Sequence, residues 1–514
     1  MALPPYEFAH EIRRVGVIGA GASGLAAVKA LIGEKKFKIK VFERNGISGG
    51  LWNYSDDVDD QVAMPSVDPG VSMKPVVKDG KQVWTSAAYD KLFTNVPTEI
   101  MTFENKGYVT DASYFATRGD IADFLHAYSR EIDGLIAYNT NVTDVRKVDG
   151  EWVVSTDDGV EKFDAVVVAS GYFNLPYVPD VKGLREYAEK YPGSIVHSKA
   201  FRRADSYLNK TVLVIGNAAS GIDISNLLVD EGIDVYQSVR SETIAPGKPN
   251  PGIKIVGEVD HFDSQDKTIH CKDGTVLSVD VVIYATGYLR SLPFMRDINE
   301  SEKRLITNGM FVNHLYLNFI YYDDPTLVLL GTPRFVLPFR VSQAQACLIA
   351  RVWSGRLKLP PKRVMELYYT KRLYEVGQSK EFHDLKYPAD ADFCEYVRAL
   401  CQLCGGDYGV VPRKWTRAER TLRKNIGELK VGFSEHFAAT GTYARTADEL
   451  VRSGSVSPLE IDTAEPEFEM FGPVKNGDEF TSEDVHSLEE EISRIPVQLS
   501  KVATSDFMGS VYNK

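Results

Sequence analysis

The feature that most restricts this chain is a strand, glycine turn, helix and strand that occurs twice. Val15-Gly16-Val17-Ile18 is a short apolar run that leads into Gly19-x-Gly21-x-x-Gly24, after which Leu25, Val28, Ala30 and Leu31 supply an apolar helical face. Ile39, Val41 and Phe42 then alternate with Lys38 and Lys40 before Glu43, as a second parallel strand would. The same order returns at residues 211–215, followed by Gly216-x-Ala218-x-x-Gly221, a helix through Ile224 and Leu228, and a strand ending near Arg240. Gly24 to Glu43 and Gly221 to Arg240 each span 19 positions. Each unit closes on a matched apolar strand, Asp164 to Tyr172 and Asp280 to Tyr288, whose small Ser-Gly or Thr-Gly lets the chain turn beside a nucleotide.

With 514 residues the chain exceeds what one hydrophobic core organises. The expected fold is α/β with two Rossmann-like dinucleotide-binding domains, the second inserted into the first. Residues 1–175 form the first part of the outer domain, 176–315 the insertion, and 316–430 the second part with helices. Apolar residues at helical spacing predict helices over Gln343 to Trp353 and Val364 to Val376, separated by Pro360-Pro361, and Tyr321 to Gly331 predicts a strand that rejoins the first sheet. Residues 431–514 read as an acidic C-terminal extension, rich in Asp, Glu, Ser and Thr, either irregular or partner-facing.

The turns have a chemical logic. Gly19 permits the tight turn, Gly21 lets backbone N–H groups approach a pyrophosphate, and Gly24 lets helix and strand pack closely. Glu43 faces the adenosine ribose, where a carboxylate accepts hydroxyl hydrogens and repels a 2′-phosphate, so the first unit suits FAD. Arg240 holds the equivalent place in the second unit, where a guanidinium can grip a 2′-phosphate, so the second ligand is NADPH; the plain alternative is a solvated cation at a strand end. Ala218 replaces the second glycine, so the pyrophosphate sits further out or the turn adjusts. Ala22, Ser23, Arg44, Val142, Ser170, Ser220, Ser241, Thr286 and Gly287 complete the candidate cofactor-binding set at these turns and strand ends.

Two nucleotide sites imply hydride transfer from NADPH to flavin and raise the question of the electron outlet. The only C-x-x-C, Cys401-Gln-Leu-Cys404, lies late in the chain and reads as structural thiols on a helix. A net charge of -12 argues against a nucleic-acid partner, and no clustered metal ligands stand out. Five cysteines, no basic apolar leader and no uncharged stretch approaching the ~20 residues of a bilayer span give the expectation of a cytoplasmic protein with no membrane partner.

Between the two units, Tyr191-Pro-Gly193-Ser-Ile-Val-His197-Ser-Lys-Ala-Phe201 resembles the F-x-G-x-x-x-H-x-x-x-[YF] signature of the flavin-containing monooxygenases, with Tyr191 in place of the usual phenylalanine. Gly49-Gly50-Leu51-Trp52 resembles the family's G-G-x-W segment beside the flavin ring, Thr94-Asn95-Val96-Pro97 its T-N-x-P, and Ala285-Thr286-Gly287-Tyr288 its A-T-G-Y. The likeness runs from about residue 14 to about residue 425 and points to the N/S-oxidising branch, since Phe201-Arg202 stands where Baeyer–Villiger relatives have Trp-Pro. It implies that NADPH reduces FAD, that dioxygen forms a C4a-hydroperoxyflavin, and that an amine, thiol or sulfide takes the distal oxygen. Gly50, Leu51 and Trp52 would then shield the flavin, and Asn95, which in isolation reads as a turn cap, would support the oxygenated flavin as the catalytic residue. His197 is given no acid or base role. Two other outlets stay open: an NADPH oxidase releasing hydrogen peroxide, and a non-catalytic nucleotide-binding redox sensor. A homodimer is compatible with the sequence, and Asp56 to Gln82 reads as an entrance loop or a solvated one.

Overall fold

A computed structural model of the chain describes residues 1–59, 62–103, 111–241, 248–405 and 407–495. β1 (Arg14–Ile18) is buried from Val15 onward and runs through the first glycine turn into α1 (Ala22–Gly33), which buries Leu25, Val28 and Leu31. β2 (Lys38–Phe42) lies parallel to β1, pairing Val41 with Val17. On the other side of β1 lies Ala165–Val168, and beyond it Leu327–Leu329, both parallel. The last of these follows the second unit in sequence, so the chain leaves this seven-stranded sheet and returns to it. Its buried strands are continuous apolar runs because both faces are covered, and each fully buried Val or Leu contributes about 2 kcal/mol. The short strand β3 (Phe93–Pro97) stands outside the sheet, paired with Phe115–Thr117.

The second unit has its own sheet. β4 (Thr211–Ile215), α2 (Ala219–Asp230) and β5 (Asp234–Ser238) repeat the first pattern, within five parallel strands that also include Ile195–His197, Val281–Tyr284 and Lys254–Val256. Two short antiparallel strands, Leu175–Pro176 and Tyr288–Leu289, pair where the chain enters and leaves this region. The predicted helices form as Pro338–Ser354 and Lys362–Val376. The first starts on Pro338, which tolerates the N-terminal turn because it lacks only an N–H that would be unpaired there, and stops at the left-handed Gly355.

The stretch after 430 departs from the sequence expectation. α3 (Ala389–Leu403) and α4 (Ile426–Thr440) are followed by helices Ala447–Arg452 and Ser482–Arg494. Phe433, Ala444, Leu450, Val456 and Phe471 are buried in the principal core, and Leu488 and Ile492 pack on Val364 and Leu367. The acidic residues that suggested an irregular or partner-facing segment include some at helix starts: Asp484 closes a capping box with Thr481. A sparse apolar residue every turn or two is enough to dock such a segment on a core already formed. The tail at 496–514 lies outside the described residues.

Candidate functional site

The first turn is built by close approach. Gly19 has φ +102°, and a Cβ there would lie 2.6 Å from the Ala169 carbonyl oxygen; a Cβ on Gly24 would collide with the Gly19 carbonyl oxygen. Gly21 is the N-cap of α1 and no side chain caps it, so the first N–H groups, including those of Ala22 and Ser23, are open to an anion. The Ser23 hydroxyl is committed to Ser342, 2.8 Å away. Ser170 follows the neighbouring strand, its Cα 3.4 Å from where a Gly19 Cβ would stand, and is exposed. These are the features a pyrophosphate requires: backbone donors, a helix N-terminus and no side chain in the way.

Glu43 takes a more structural position than the sequence suggests. It is 5% exposed, and its carboxylate accepts from the Ala20 N–H at 2.8 Å and from the Asn45 N–H at 2.9 Å. Burial raises its pKa, opposed by those two donors. It braces the turn from beneath, while each oxygen keeps a further acceptor position for a ribose hydroxyl. Arg44 stacks 4.6 Å over the Trp84 ring and donates to Asn174 Oδ1 at 3.2 Å. The Val142 side chain joins Ile18 and Phe42 in a core cluster, leaving only its backbone for a ligand.

The Gly49 to Trp52 segment covers the turn. The Gly49 N–H donates to the Ala20 carbonyl at 2.9 Å, and Gly50 packs so close that a Cβ would lie 3.0 Å from Gly21 Cα. Leu51 and Trp52 are half-buried, Trp52 against the principal core. His126, which the sequence reading missed, fastens this segment: its Nε2 lies 3.0 Å from both the Ser48 carbonyl and Asn53 Oδ1. Ser86 donates to the Asn53 carbonyl at 2.6 Å, tying the same segment to the chain that leads to β3. Asn95 is half-buried on β3, and its amide makes no hydrogen bond among the described residues. The Asp56 to Gln82 segment contains a small hairpin, Val76–Lys78 with Lys81–Val83; residues 60 and 61 lie outside the described set.

The second turn repeats the first. Gly216 has φ +114°, a Cβ there would lie 2.7 Å from the Ala285 carbonyl oxygen, and a Cβ on Gly221 would meet the Gly216 carbonyl. Ala218, the N-cap of α2, has φ −80° and ψ −174°, against −77° and −175° at Gly21. The turn therefore does not adjust to alanine, and Ala218 is exposed. Ser220, in the first turn of α2, is half-buried. Arg240 and Ser241 line an open cleft of about 390 Å³ with Asn217, Gln237 and Ile255, and Asn217 Nδ2 donates to the Ser241 carbonyl at 2.6 Å. Arg240 is exposed and makes no ion pair among the described residues, so its guanidinium is available to a phosphate.

The signature histidine closes the junction between the units. His197 is 1% exposed; its Nε2–H donates to the Gly287 carbonyl at 2.9 Å and its Nδ1 accepts the Lys199 N–H at 3.1 Å. Burial pulls it down to about 3, which keeps it neutral. Gly287 also receives the Tyr177 N–H at 2.9 Å, and the Thr286 hydroxyl donates to the Tyr177 carbonyl. Nearby, Arg202 is 7% exposed and donates to the carbonyls of Lys199, Phe201, Asp57 and Ser86, joining three segments that sequence spacing does not connect. Cys401 and Cys404 lie at the C-terminal end of α3, with Glu34 of the α1 C-terminus among the charges acting on both. Burial pushes Cys401 up to about 12 and Cys404 upward.

Comparison with known proteins agrees with this geometry. A family model described as flavin-binding monooxygenase-like matches residues 12–68 and 251–411, and one described as pyridine nucleotide-disulphide oxidoreductase matches 90–309. The flavin-containing monooxygenase FMO GS-OX1 of Arabidopsis thaliana is 30% identical over 419 residues, covering 76% of this chain and 85% of that protein. The thiol-specific monooxygenase of Saccharomyces cerevisiae is 28% identical over 365 residues, with 68% and 78% covered. Among solved structures, the S-allyl-L-cysteine S-oxygenase of Allium sativum superposes with a TM-score of 0.66 at 26% identity, covering 86% of this chain and 97% of that one. No helix among the described residues is long and apolar enough to cross a membrane. Two dinucleotide turns of matching backbone, one braced by a carboxylate and one opening on an arginine, belong here to a flavin-containing monooxygenase, a member of that enzyme family whose cofactors are FAD and NADPH.

Proposed function

We propose that this monooxygenase oxygenates a soft sulfur or nitrogen atom of a small molecule, consuming one NADPH, one proton and one dioxygen, releasing NADP⁺ and water, and leaving one oxygen atom on the substrate. The observation that carries the reading is the Asn95 amide, unpaired among the described residues, on a strand whose leading segment is tied through the Ser86 to Asn53 hydrogen bond to the segment that covers the FAD turn. Sulfur is the first choice, because the S-oxygenase named for S-allyl-L-cysteine shares this fold and a monooxygenase named for thiols is a sequence relative. Nitrogen shares the softness that such oxygen transfer needs.

Bound FAD, reduced by NADPH, supplies the electrons that activate dioxygen. The protein's task is positioning and exclusion of water. The unpaired N–H groups at the starts of α1 and α2 hold the two pyrophosphates, Arg240 selects the 2′-phosphate, and the Gly49 to Trp52 segment, pinned by His126, closes the flavin side. Asn95 can both donate and accept at the reacting edge. His197 stays neutral and holds the Gly287 turn. In the same reading, residues 176–315 work as the NADPH domain, set between the two parts of the FAD domain at 1–175 and 316–430, and cysteines that form no disulfide go with a cytoplasmic location. A dithiol outlet is not supported: α1 has 12 residues, so its far end, whose Glu34 acts on Cys401 and Cys404, is about 18 Å from the flavin turn.

The test is a product-mass screen of thiols, sulfides and amines with NADPH and labelled dioxygen. Label in the product supports the reading. Recovery of all consumed oxygen as hydrogen peroxide, whatever the substrate, would replace it with the oxidase alternative.

A further inference from the structure

α4 brings a lysine to the strand that carries Asn95. Lys430 Nζ donates to the Thr94 carbonyl at 2.6 Å and lies 4.8 Å from the Phe115 ring centre, 5.8 Å from that of Phe93 and 5.9 Å from that of Phe433. An ammonium held by one carbonyl and three ring faces is costly to bury without an opposing charge. That charge comes from the other nucleotide unit. Asp223 of α2 acts on Lys430 through space, with no direct ion pair between them, and it receives the Tyr89 hydroxyl from the segment leading into β3. Burial pulls Lys430 down to about 8 and raises Asp223, each opposed by the other's charge. Two further pairs bridge the same seam: Lys91 to Glu231 at 2.8 Å and Lys248 to Glu435 of α4 at 3.7 Å.

We propose that Lys430 is a positioning residue that fixes the Asn95 strand through the Thr94 carbonyl and, through Asp223, makes its placement depend on the docked α2 helix of the NADPH unit. The C-terminal segment thereby takes part in the reaction as the third wall of the junction. Its functional consequence rests on the Asn95 assignment above. When α2 is settled by nucleotide, Asp223 favours the charged form of Lys430, whose hydrogen bond to the Thr94 carbonyl holds β3. When α2 shifts, the strand loses its only lysine anchor among the described residues.

The test uses the FAD-loaded full chain and two readouts, amide hydrogen exchange over Phe93–Pro97 with and without NADP⁺, and hydrogen peroxide released per NADPH. In the wild type NADP⁺ is expected to slow exchange on β3 by about fivefold. Lys430→Met, whose side chain suits the aromatic cage, is expected to abolish that protection and raise peroxide release about threefold, while Lys430→Arg restores both. Asp223→Asn makes the same test outside the cage, if Lys430→Met does not hold FAD, and is expected to lose the protection too. Wild-type β3 exchange indifferent to NADP⁺, or charge-removing variants indistinguishable from the wild type in both readouts, overturns the proposal. Failure of the Asn95 reading looks different: an Asn95→Ala enzyme releases no more peroxide than the wild type while the exchange results stand.

Discussion

The two glycine turns have almost the same backbone and opposite surroundings. Gly21 and Ala218 differ by 3° in φ and 1° in ψ, and both head helices with unpaired first N–H groups. Yet the first turn is braced by a buried carboxylate from below and covered by the Gly49 to Trp52 segment, whereas the second opens on a cleft with an exposed arginine. On the proposed function, the covered turn would retain its dinucleotide and the open one exchange it. That division suits a resident flavin and a nicotinamide cofactor that must arrive, be held and leave.

The sharpest way to break the comparison is to add one methyl to each turn. Gly24→Ala drives a Cβ into the Gly19 carbonyl and is expected to cost about 3 kcal/mol and empty the flavin site. Gly221→Ala makes the same collision with Gly216 but should leave FAD bound and remove NADPH reduction. Flavin absorbance per protein, set beside anaerobic reduction, separates the two, and equal flavin loss in both would sink the division of labour.

Next in size is Arg240→Ala, expected to weaken NADPH binding by about 2 kcal/mol, roughly thirtyfold, with NADH unaffected. Titration of bound flavin reduction against each nucleotide checks it. An equal loss for NADH would mean that Arg240 is a general cation and not a reader of the 2′-phosphate.

The His197 clasp holds the second unit's closing turn, and it sets a pH dependence. Its pKa is lowered on folding, from 6.5 to about 3, so its contribution to stability is complete above 6.5 and is lost as pH falls toward 3. Between pH 6.5 and about 5 the loss should be roughly 2 kcal/mol from this group. Thermal unfolding of the wild type and of His197→Gln across that window should show the slope flattened in the variant; parallel slopes would assign the acid sensitivity elsewhere. The smallest effect is expected from Ala218→Gly. Because the backbone is already in the glycine-turn geometry, NADP⁺ affinity should change by no more than about threefold, checked by direct titration.

Much of this was legible in one dimension, and the exceptions are instructive. The doubled turn, the returning strand at Leu327–Leu329 and the helices after Pro338 follow from local periodicity and turn chemistry. The C-terminal segment was misjudged because acidic composition reports on solvation, while docking depends on a few apolar residues such as Phe433 and Phe471 meeting a surface formed earlier in the chain. His126, Arg202 and Lys430 gave no signal, since their partners lie at sequence separations of 73, 145 and 336 residues. Glu43 was found for its ligand chemistry, but its grip on the Ala20 N–H was not visible from spacing.

The sequence by itself determined that there are two glycine turns of the dinucleotide-binding kind and set the expectation of which cofactor each would take, because glycine sterics and the charge at the end of the second strand act within a few residues. The tertiary structure alone decided which turn is covered, where the Asn95 strand is anchored and that the segment after 430 is part of the body. Those outcomes rest on contacts between distant segments, whose free energy exists only once the chain has folded.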